Sequence, residues 1–239
     1  ERRGLGELLT PEALQAGRAS TLNAHFTSPT VISAIYEAVE RLGFDGGRVL
    51  EPAAGIGHFF GLMPDEMASR SRLTGVELDP ISAAIARRLY PDADIRNEGF
   101  EETTLVDRSF DLAISNVPFG DYKPFDEDFA RHNFRIHDYF FAKAIGKIRP
   151  GGLMVFITSK GTTDTQNSRL RRYRAGDADL FGTPRVTNTA TTEHANTAGT
   201  THIVCTSRPG QGGRRNGTTR AYPADPHTTR RSTVTRHEH

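Results

Sequence analysis

Apolar residues along the first two thirds of the chain fall into two alternating patterns. Short continuous apolar runs are typical of buried strands, and they are followed by stretches with apolar residues at helical spacing. The continuous runs cover 48–52, 72–79, 93–96, 110–116 and 153–158. One predicted helix begins at Pro29, and others cover 81–90 and 137–148. This alternation predicts an α/β fold with a doubly wound, mainly parallel sheet that is covered on both faces.

The hydrophobic pattern changes after residue 159. Thr and Asn dominate 183–200, which puts the last strands of such a sheet in doubt, although 201–206 has the pattern of one more strand. Residues 208–239 contain seven Arg, two acids and almost no aliphatic side chains, a composition that predicts disorder. We therefore divide the chain into four parts. They are a helical N-terminal segment (1–45), the α/β domain (46–180), doubtful final strands (181–207) and a disordered tail (208–239).

The net charge of +1 hides a division of charge along the chain. Residues 1–160 carry 18 Lys and Arg against 23 Asp and Glu, a balance of −5, whereas residues 161–239 carry 12 Arg against 6 acids, a balance of +6. A basic second half is suited to contact with phosphates, because neutralising them releases counterions. The same half is rich in Thr and has little to bury, so a solvated segment explains its composition equally well.

Cysteine content and the lack of long apolar runs bear on location. With Cys205 as its single cysteine the chain forms no internal disulfide, and no apolar run approaches the roughly 18 residues that span a bilayer. No charged-then-apolar signal segment opens the chain, so we expect a cytoplasmic protein that contacts no membrane. The chain begins at Glu1 rather than Met, and we expect it to be a piece of a longer protein.

A tight glycine loop follows the first predicted strand, after Glu51-Pro52. Gly55 and Gly57 let backbone approach a ligand without a Cβ in the way, and the Glu51 carboxylate is placed to accept from a ligand's ammonium group. A dinucleotide-binding fingerprint requires a third glycine where Phe60 stands, and a P-loop requires a Lys-Ser/Thr pair that is absent. The loop therefore indicates a nucleotide-type ligand of another class.

Two further strand ends carry polar side chains. Glu77 lies 22 residues past Gly55 at the end of the second strand, where a carboxylate can accept from both hydroxyls of a ribose. The fourth strand ends in Asn116-Val-Pro-Phe119, which offers the Asn116 side-chain oxygen and the Val117 carbonyl as two acceptors beside an aromatic ring. That set suits a planar group bearing an NH2. Because ligands bind beyond the carboxyl ends of parallel strands, these residues are expected to converge.

These motifs resemble those of the S-adenosylmethionine-dependent adenine-specific DNA methyltransferases. Residues 51–59 resemble the family's Asp/Glu-Pro-x-x-Gly-x-Gly-x-Phe motif, and 116–119 resemble its Asn-Pro-Pro-Phe/Tyr signature with Val117 in place of the first Pro. Residues 23–29, 99–103 and 116–122 look like the methylase domains of large methyltransferase-helicase proteins of phage and mobile elements. The resemblance covers about residues 20–165.

The resemblance implies a Rossmann-like class I methyltransferase fold that uses S-adenosylmethionine and no metal. It implies that segment 1–45 closes over the methionine end of the cofactor, and that Phe100 contacts the adenine ring, although Phe100 fits a core position equally well. The implied cofactor-binding residues are Phe26, Thr27, Glu51, Pro52, Gly55, Gly57, Glu77, Leu78, Phe100 and Asn116. The implied catalytic residues are Asn116, Val117, Pro118 and Phe119. The implied partners are DNA with a flipped adenine and a helicase domain in the same longer polypeptide.

Two other functions fit the same residues. An RNA or protein-glutamine amino-methyltransferase presents similar acceptors to an amine or amide, although the glutamine enzymes generally have Tyr where Phe119 stands. The second alternative is a non-catalytic remnant, or a nucleic-acid-binding module of a larger helicase-methylase protein, and the Thr-rich second half favours it.

Overall fold

The computed structural model describes residues 27–118, 122–159, 179–182, 185–186 and 201–208 of the 239-residue chain. Five helices are described, together with a 3-10 turn at Ala130–His132. The helices are α1 (Pro29–Arg41), α2 (His58–Gly61), α3 (Asp65–Ser69), α4 (Pro80–Leu89) and α5 (Ile136–Lys147). The strands are β1 (Arg48–Glu51), β2 (Arg72–Val76), β3 (Asp94–Arg96), β4 (Phe110–Asn116), β5 (Ile148–Ser159), β6 (Asp179–Gly182), β7 (Arg185–Val186) and β8 (Thr201–Ser207).

All eight described strands join one sheet in the order β3-β2-β1-β4-β5-β8-β6, and β7 also pairs with β8. The five strands from β3 to β5 are parallel, whereas β8 runs antiparallel to β5 and β6 runs antiparallel to β8. In the centre, Val49 lies opposite Leu73 on one side and Leu112 on the other. The predicted doubly wound, mainly parallel sheet is confirmed.

Apolar side chains cover both faces of the sheet. Because successive strand residues point to opposite faces, Val49 joins one core cluster and Leu50 the other. Helices α1 to α4 supply the first cluster and α5 supplies much of the second. Strands buried on both faces are the reason for the continuous apolar runs in the sequence.

Helix α1 has the start that the sequence predicts. Ser28 caps it, since the Ser28 hydroxyl accepts from the Val31 N–H at 3.4 Å, and Pro29 occupies the first turn. The buried face consists of Val31, Ile32, Ile35, Tyr36 and Val39. In addition, the Tyr36 hydroxyl donates to the Phe59 carbonyl at 2.6 Å, so α1 packs into the same core as the sheet. Residues 1–26 of the predicted N-terminal segment lie outside the described residues.

The junction between α5 and β5 differs from the prediction. The helix was expected to reach residue 148 and to be followed by a turn over 149–152, but α5 ends at Lys147 and β5 begins at Ile148. Backbone pairing continues through the two glycines, because Gly151 donates to the Arg208 carbonyl and Arg208 donates to the Gly152 carbonyl, at 2.8 and 3.2 Å. Pairing with β8 therefore continues through the expected turn.

The final strands that the sequence put in doubt are present. Strand β8 pairs with β5 over Thr201–Ser207, so the sheet continues well past residue 180. Backbone hydrogen bonds stabilise such an edge even where its side chains give a weak apolar pattern. Most of 183–200 and the predicted tail after Arg208 lie outside the described residues. In the part of the chain that the structure describes, no helix is long and apolar enough to cross a membrane.

Candidate functional site

A cavity of about 760 Å3 lies at the carboxyl ends of the central parallel strands. Its walls include residues that directly follow or end β1, β2 and β4, as the sheet topology requires of a doubly wound fold. The predicted site residues that line it are Thr27, Glu51, Pro52, Gly55, Glu77, Leu78, Phe100, Asn116, Val117 and Pro118. Phe26 and Phe119 lie outside the described residues, and Gly57 does not line the cavity.

Glu51, the last residue of β1, is a buried acid. The residue is 2% exposed, and its Oε2 has no hydrogen-bond partner among the described residues. Burial, with a contribution from the nearby Glu77 charge, raises the pKa of Glu51 well above its ordinary value. A donor or cation supplied by a ligand would satisfy this oxygen, since an unpaired buried acid is costly.

The loop after β1 brings backbone up to the second acid. The Gly55 N–H donates to Glu77 Oε2 at 2.7 Å, and the Asp79 N–H donates to Glu77 Oε1 at the same distance. Burial raises the pKa of Glu77, although these two N–H groups act in the opposite direction. Each oxygen of an ionised carboxylate has a further acceptor site, so Glu77 is held in place and still able to accept from a ligand.

The two loop glycines have different roles. Gly55 has φ +55°, and a Cβ built on it would meet nothing within 4 Å, so the position faces open space in the cavity. Gly57 has φ +85°, and a Cβ there would lie 2.4 Å from Cε2 of Tyr90. Gly57 is therefore required for the packing of the loop on Tyr90, and the predicted ligand contact at Gly57 finds no support in the cavity lining.

The end of β4 borders the cavity. Asn116, Val117 and Pro118 line the cavity, although Val117 is 1% exposed and belongs to the core. The Val117 N–H donates to the Ile157 carbonyl at 3.2 Å, so pairing with β5 fixes this peptide. The structure thus brings Asn116 to the same cavity as Glu51 and Glu77, as the sequence predicted.

Phe100 occupies a core position and also borders the cavity. It is 2% exposed and packs against Phe140, with ring centres 5.0 Å apart, yet it also lines the cavity. Leu78, by contrast, is 70% exposed at the cavity wall. Near the methionine end implied by the resemblance, the Thr27 Oγ1 is buried and has no hydrogen-bond partner among the described residues.

Several lining residues were not predicted. Glu98, Gly99 and Glu101 flank Phe100 in a turn whose sequence pointed to the site only through the resemblance. Others come from the segment between β4 and α5 and from α5 itself, namely Tyr122, Ile136 and Phe140. Nothing in the local pattern distinguishes Ile136 and Phe140 from ordinary core residues of a helix. The supporting role of Asn97 was also missed. Asn97 does not line the cavity, but its side-chain amide donates to the carbonyls of Glu77 and Leu78 at 2.9 and 3.0 Å.

The described side chains around the site include acids and a histidine. Within the described ranges, no group of three or more His, Cys, Asp or Glu side chains is arranged to hold a metal ion. His58 lines the cavity, and burial lowers its pKa, which favours the neutral imidazole. The polar groups that line the cavity are carboxylates, an amide, the His58 imidazole, hydroxyls and backbone.

Comparison with known sequences gives a distant relative. No protein-family model matches this chain. The chain is 27% identical over 178 residues to the "Defense against restriction protein B" of Escherichia phage P1, and the match covers 72% of this chain but 8% of the phage protein. The chain thus spans a small part of that relative.

Comparison with solved structures gives closer likeness in fold. A candidate class I S-adenosylmethionine-dependent methyltransferase from Listeria monocytogenes matches with a TM-score of 0.67 and 15% identity, over 81% of this chain and 64% of that one. The modification subunit of a candidate type I restriction enzyme from Vibrio vulnificus matches with a TM-score of 0.63 and 17% identity, over 79% of this chain and 45% of that one. The type I restriction-modification methyltransferase subunit from Streptococcus thermophilus matches with a TM-score of 0.65 and 13% identity, over 80% of this chain and 47% of that one. This chain therefore shares the Rossmann-like fold of the class I methyltransferases.

Proposed function

We propose that this chain is an S-adenosylmethionine-dependent methyltransferase that transfers a methyl group to the exocyclic amine of adenine in DNA. The observation that carries the proposal is the meeting of Glu51, Glu77 and Asn116 at one cavity. These residues end or follow three adjacent parallel strands, and they combine two acids suited to a cofactor with an amide suited to an amine substrate.

The residues present fit the cofactor. Glu51 Oε2 and Thr27 Oγ1 are buried acceptors without partners among the described residues, and the cavity of about 760 Å3 falls in the range of small-molecule sites. In this proposal Glu51 binds the ammonium group of the cofactor and Glu77 binds its ribose hydroxyls. Phe100 and Leu78 contact the adenine ring of the cofactor. Gly55 leaves the backbone open beside them.

The bound cofactor supplies an electrophilic methyl group on its sulfonium. The chain's own part is to hold the target amine: the Asn116 side-chain oxygen and the Val117 carbonyl accept from the NH2 and draw its lone pair out of conjugation. The Val117 N–H is bonded to the Ile157 carbonyl and Pro118 restricts the backbone that follows, so the Val117 carbonyl needs little reorganisation. Alignment of this kind can remove about 7–11 kcal/mol of barrier.

The named relatives support DNA as the substrate. The Vibrio and Streptococcus proteins are described as modification or methyltransferase subunits of type I restriction systems, and the phage protein is described as acting against restriction. For duplex DNA the adenine must leave the stack, at a cost of a few kcal/mol. We further propose that the chain acts in the cytoplasm. We also propose that a helicase domain lies elsewhere in the same longer polypeptide, because residues 23–29, 99–103 and 116–122 resemble the methylase domains of methyltransferase-helicase proteins.

Two measurements test the proposal in order. Calorimetric titration of the 239-residue chain with S-adenosylhomocysteine should show binding, and its absence would contradict the enzyme and favour a non-catalytic remnant. Transfer of a tritiated methyl group is then measured on adenine-containing DNA, on RNA and on a glutamine-bearing protein. We expect signal on DNA; signal confined to RNA or to protein would overturn the assigned substrate while keeping the reaction class.

A further inference from the structure

Lys143 is a buried cation that the proposed reaction does not use. It lies on α5 with its side chain 7% exposed, and its Nζ donates to Asp126 Oδ2 at 3.0 Å and to the Glu101 carbonyl at 3.1 Å. The same Nζ lies 5.3 Å from the centre of the Phe100 ring. A buried ammonium group is costly unless it is paired, and these contacts pair it.

Asp126, the partner of Lys143, is also held by other groups. Its side chain is 9% exposed; Oδ2 accepts from the Tyr139 hydroxyl at 2.5 Å, and Oδ1 accepts from the Asp128 N–H at 3.0 Å. Burial would raise the pKa of Asp126, but the hydrogen bonds from Tyr139 and Lys143 outweigh it and leave this pKa below its ordinary value. Asp126 is therefore ionised at neutral pH and anchored to α5 by two side chains.

The Lys143 ammonium group joins two walls of the cavity. Glu101, next to Phe100, lines the wall that we assign to the cofactor. Asp126 does not line the cavity itself but belongs to the connection between β4 and α5, in which Tyr122 does, and the Tyr122 carbonyl accepts from the Ile136 N–H at 2.9 Å. The Lys143 ammonium group thus contacts both segments. We call the segment around Phe100 the cofactor wall and the connection between β4 and α5 the substrate wall.

Both partners of Lys143 lie in connecting segments without sheet pairing. Glu101 lies between β3 and β4, and Asp126 lies between β4 and α5, so neither position is fixed by a strand ladder. Segments of this kind owe their position to side-chain contacts. The Lys143 amine thus has one hydrogen bond to each of the two segments.

We propose that Lys143 is a positioning residue that couples the cofactor wall to the substrate wall, so that each ligand binds more tightly when the other is present. This inference rests on the proposed function. It gives Lys143, which lies away from the reacting atoms, a role in coupling cofactor binding to DNA binding. A cofactor that packs on Phe100 fixes the Glu101 backbone, and Lys143 transmits that order to Asp126 and the segment after Tyr122.

The test compares the affinity for S-adenosylhomocysteine, measured by calorimetry, with and without an adenine-containing DNA duplex. In the wild-type chain we expect the duplex to tighten binding by about tenfold, a usual size for coupling between two sites. In Lys143→Met, which keeps the length of the side chain but not its charge, we expect the duplex to have no such effect.

Lys147 provides a matched control on the same helix. Its Nζ also donates to a backbone carbonyl, that of Leu105 at 3.0 Å, and to a carboxylate, Asp107 Oδ1 at 2.6 Å. Neither Leu105 nor Asp107 lines the cavity. Lys147→Met should therefore keep the tightening, whereas a merely structural role of Lys143 would make the two variants alike.

A second variant guards against misfolding. Lys143→Met leaves Asp126 buried without its cation, so Lys143→Met/Asp126→Asn is measured beside it, with circular dichroism to check the fold. If either folded variant keeps the wild-type tightening, or if the wild-type chain binds S-adenosylhomocysteine without tightening, the inference is overturned. If the wild-type chain does not bind S-adenosylhomocysteine at all, the proposed function itself fails.

Discussion

Glu51 and Glu77 face one cavity from the ends of adjacent strands, and the pKa of each is raised chiefly by burial. Two neighbouring acids in a partly dry site resist simultaneous ionisation. The two differ in their partners, because Glu77 accepts from Gly55 and Asp79, whereas Glu51 Oε2 has no partner in the described chain. Glu51 is therefore the acid whose charge costs the protein more.

The raised pKa of Glu51 predicts a pH dependence of stability. Because the folded-state pKa lies above the ordinary value of 4.5, the contribution of Glu51 is fully present below pH 4.5 and is lost as pH rises through the raised pKa. Glu51→Gln cannot ionise, so it should gain stability relative to wild type over that range, by about 1.4 kcal/mol for each unit of raised pKa. Urea denaturation at a series of pH values measures the difference; parallel profiles would contradict the prediction.

Asn116 and Glu77 should separate catalysis from binding. Asn116→Ala removes an acceptor for the amine, so we expect methyl transfer to fall by about a hundredfold or more with little change in affinity for S-adenosylhomocysteine. Glu77→Ala removes a charged acceptor, which should weaken that affinity by about ten- to a hundredfold. Calorimetry and tritium transfer on both variants give the comparison. Loss of cofactor binding in the Asn116 variant alone would reverse the assigned roles.

At the scale of elements, the loop between β1 and α2 both shapes the cavity and packs on the rest of the fold. Gly55 and Gly57 share positive φ, but only Gly57 lies against another side chain, the ring of Tyr90. Tyr90 is itself held by Phe60, with ring centres 5.8 Å apart in an edge-to-face arrangement. The two glycines therefore offer a matched pair of substitutions in one loop.

Gly57→Ala should destabilise the fold, and Gly55→Ala should mainly weaken ligand binding. Both pay about 1–2 kcal/mol for a left-handed residue with a Cβ, and Gly57→Ala adds about 1–3 kcal/mol because its Cβ meets Tyr90 at 2.4 Å. The Gly55 Cβ would instead occupy space in the cavity. Urea denaturation and calorimetry with S-adenosylhomocysteine distinguish the two effects; equal loss of stability in both variants would contradict this account.

At the scale of the whole molecule, sheet order decides which residues meet. Strand β1 lies between β2 and β4, so the ends of these three strands are neighbours although Glu51 and Asn116 are far apart in sequence. The chain returns to the opposite side of β1 after β3, and the crevice at that change of direction is where doubly wound sheets bind ligands. Helix α5 then brings the Lys143 amine to the carbonyl of Glu101, which lines the same cavity.

Ligand binding at this crevice should stabilise the whole fold. A ligand that binds only the folded state adds about 2.7 kcal/mol to the free energy of unfolding when present at 100 times its Kd. We expect S-adenosylhomocysteine to raise the thermal midpoint of the wild-type chain accordingly, and NAD to leave it unchanged. Stabilisation by NAD but not by S-adenosylhomocysteine would point to a different cofactor class.

Much of the fold could be read from the sequence because the strands of a covered parallel sheet are apolar throughout. Strand β4 ends at Asn116 and α1 begins after Ser28, as predicted, since burial and capping are local signals. The α5–β5 junction was predicted wrongly because Pro150 and the glycines after it signal a turn. These residues instead extend β5, and their backbone pairs with β4 and with Arg208. The local sequence pattern carries no information about such distant partners.

The sequence by itself determined which strand ends carry acids or amides, because side-chain chemistry and hydrophobic period are properties of neighbouring residues. Tertiary structure alone decided that Glu101 and Asp126 share the Lys143 amine and that β8 completes the sheet beside β5. Each of these contacts joins residues distant in sequence, and their formation depends on the order of strands and on burial in the assembled core. That is why a lysine in an ordinary helical pattern gave no sign that its amine joins two separate segments of the chain.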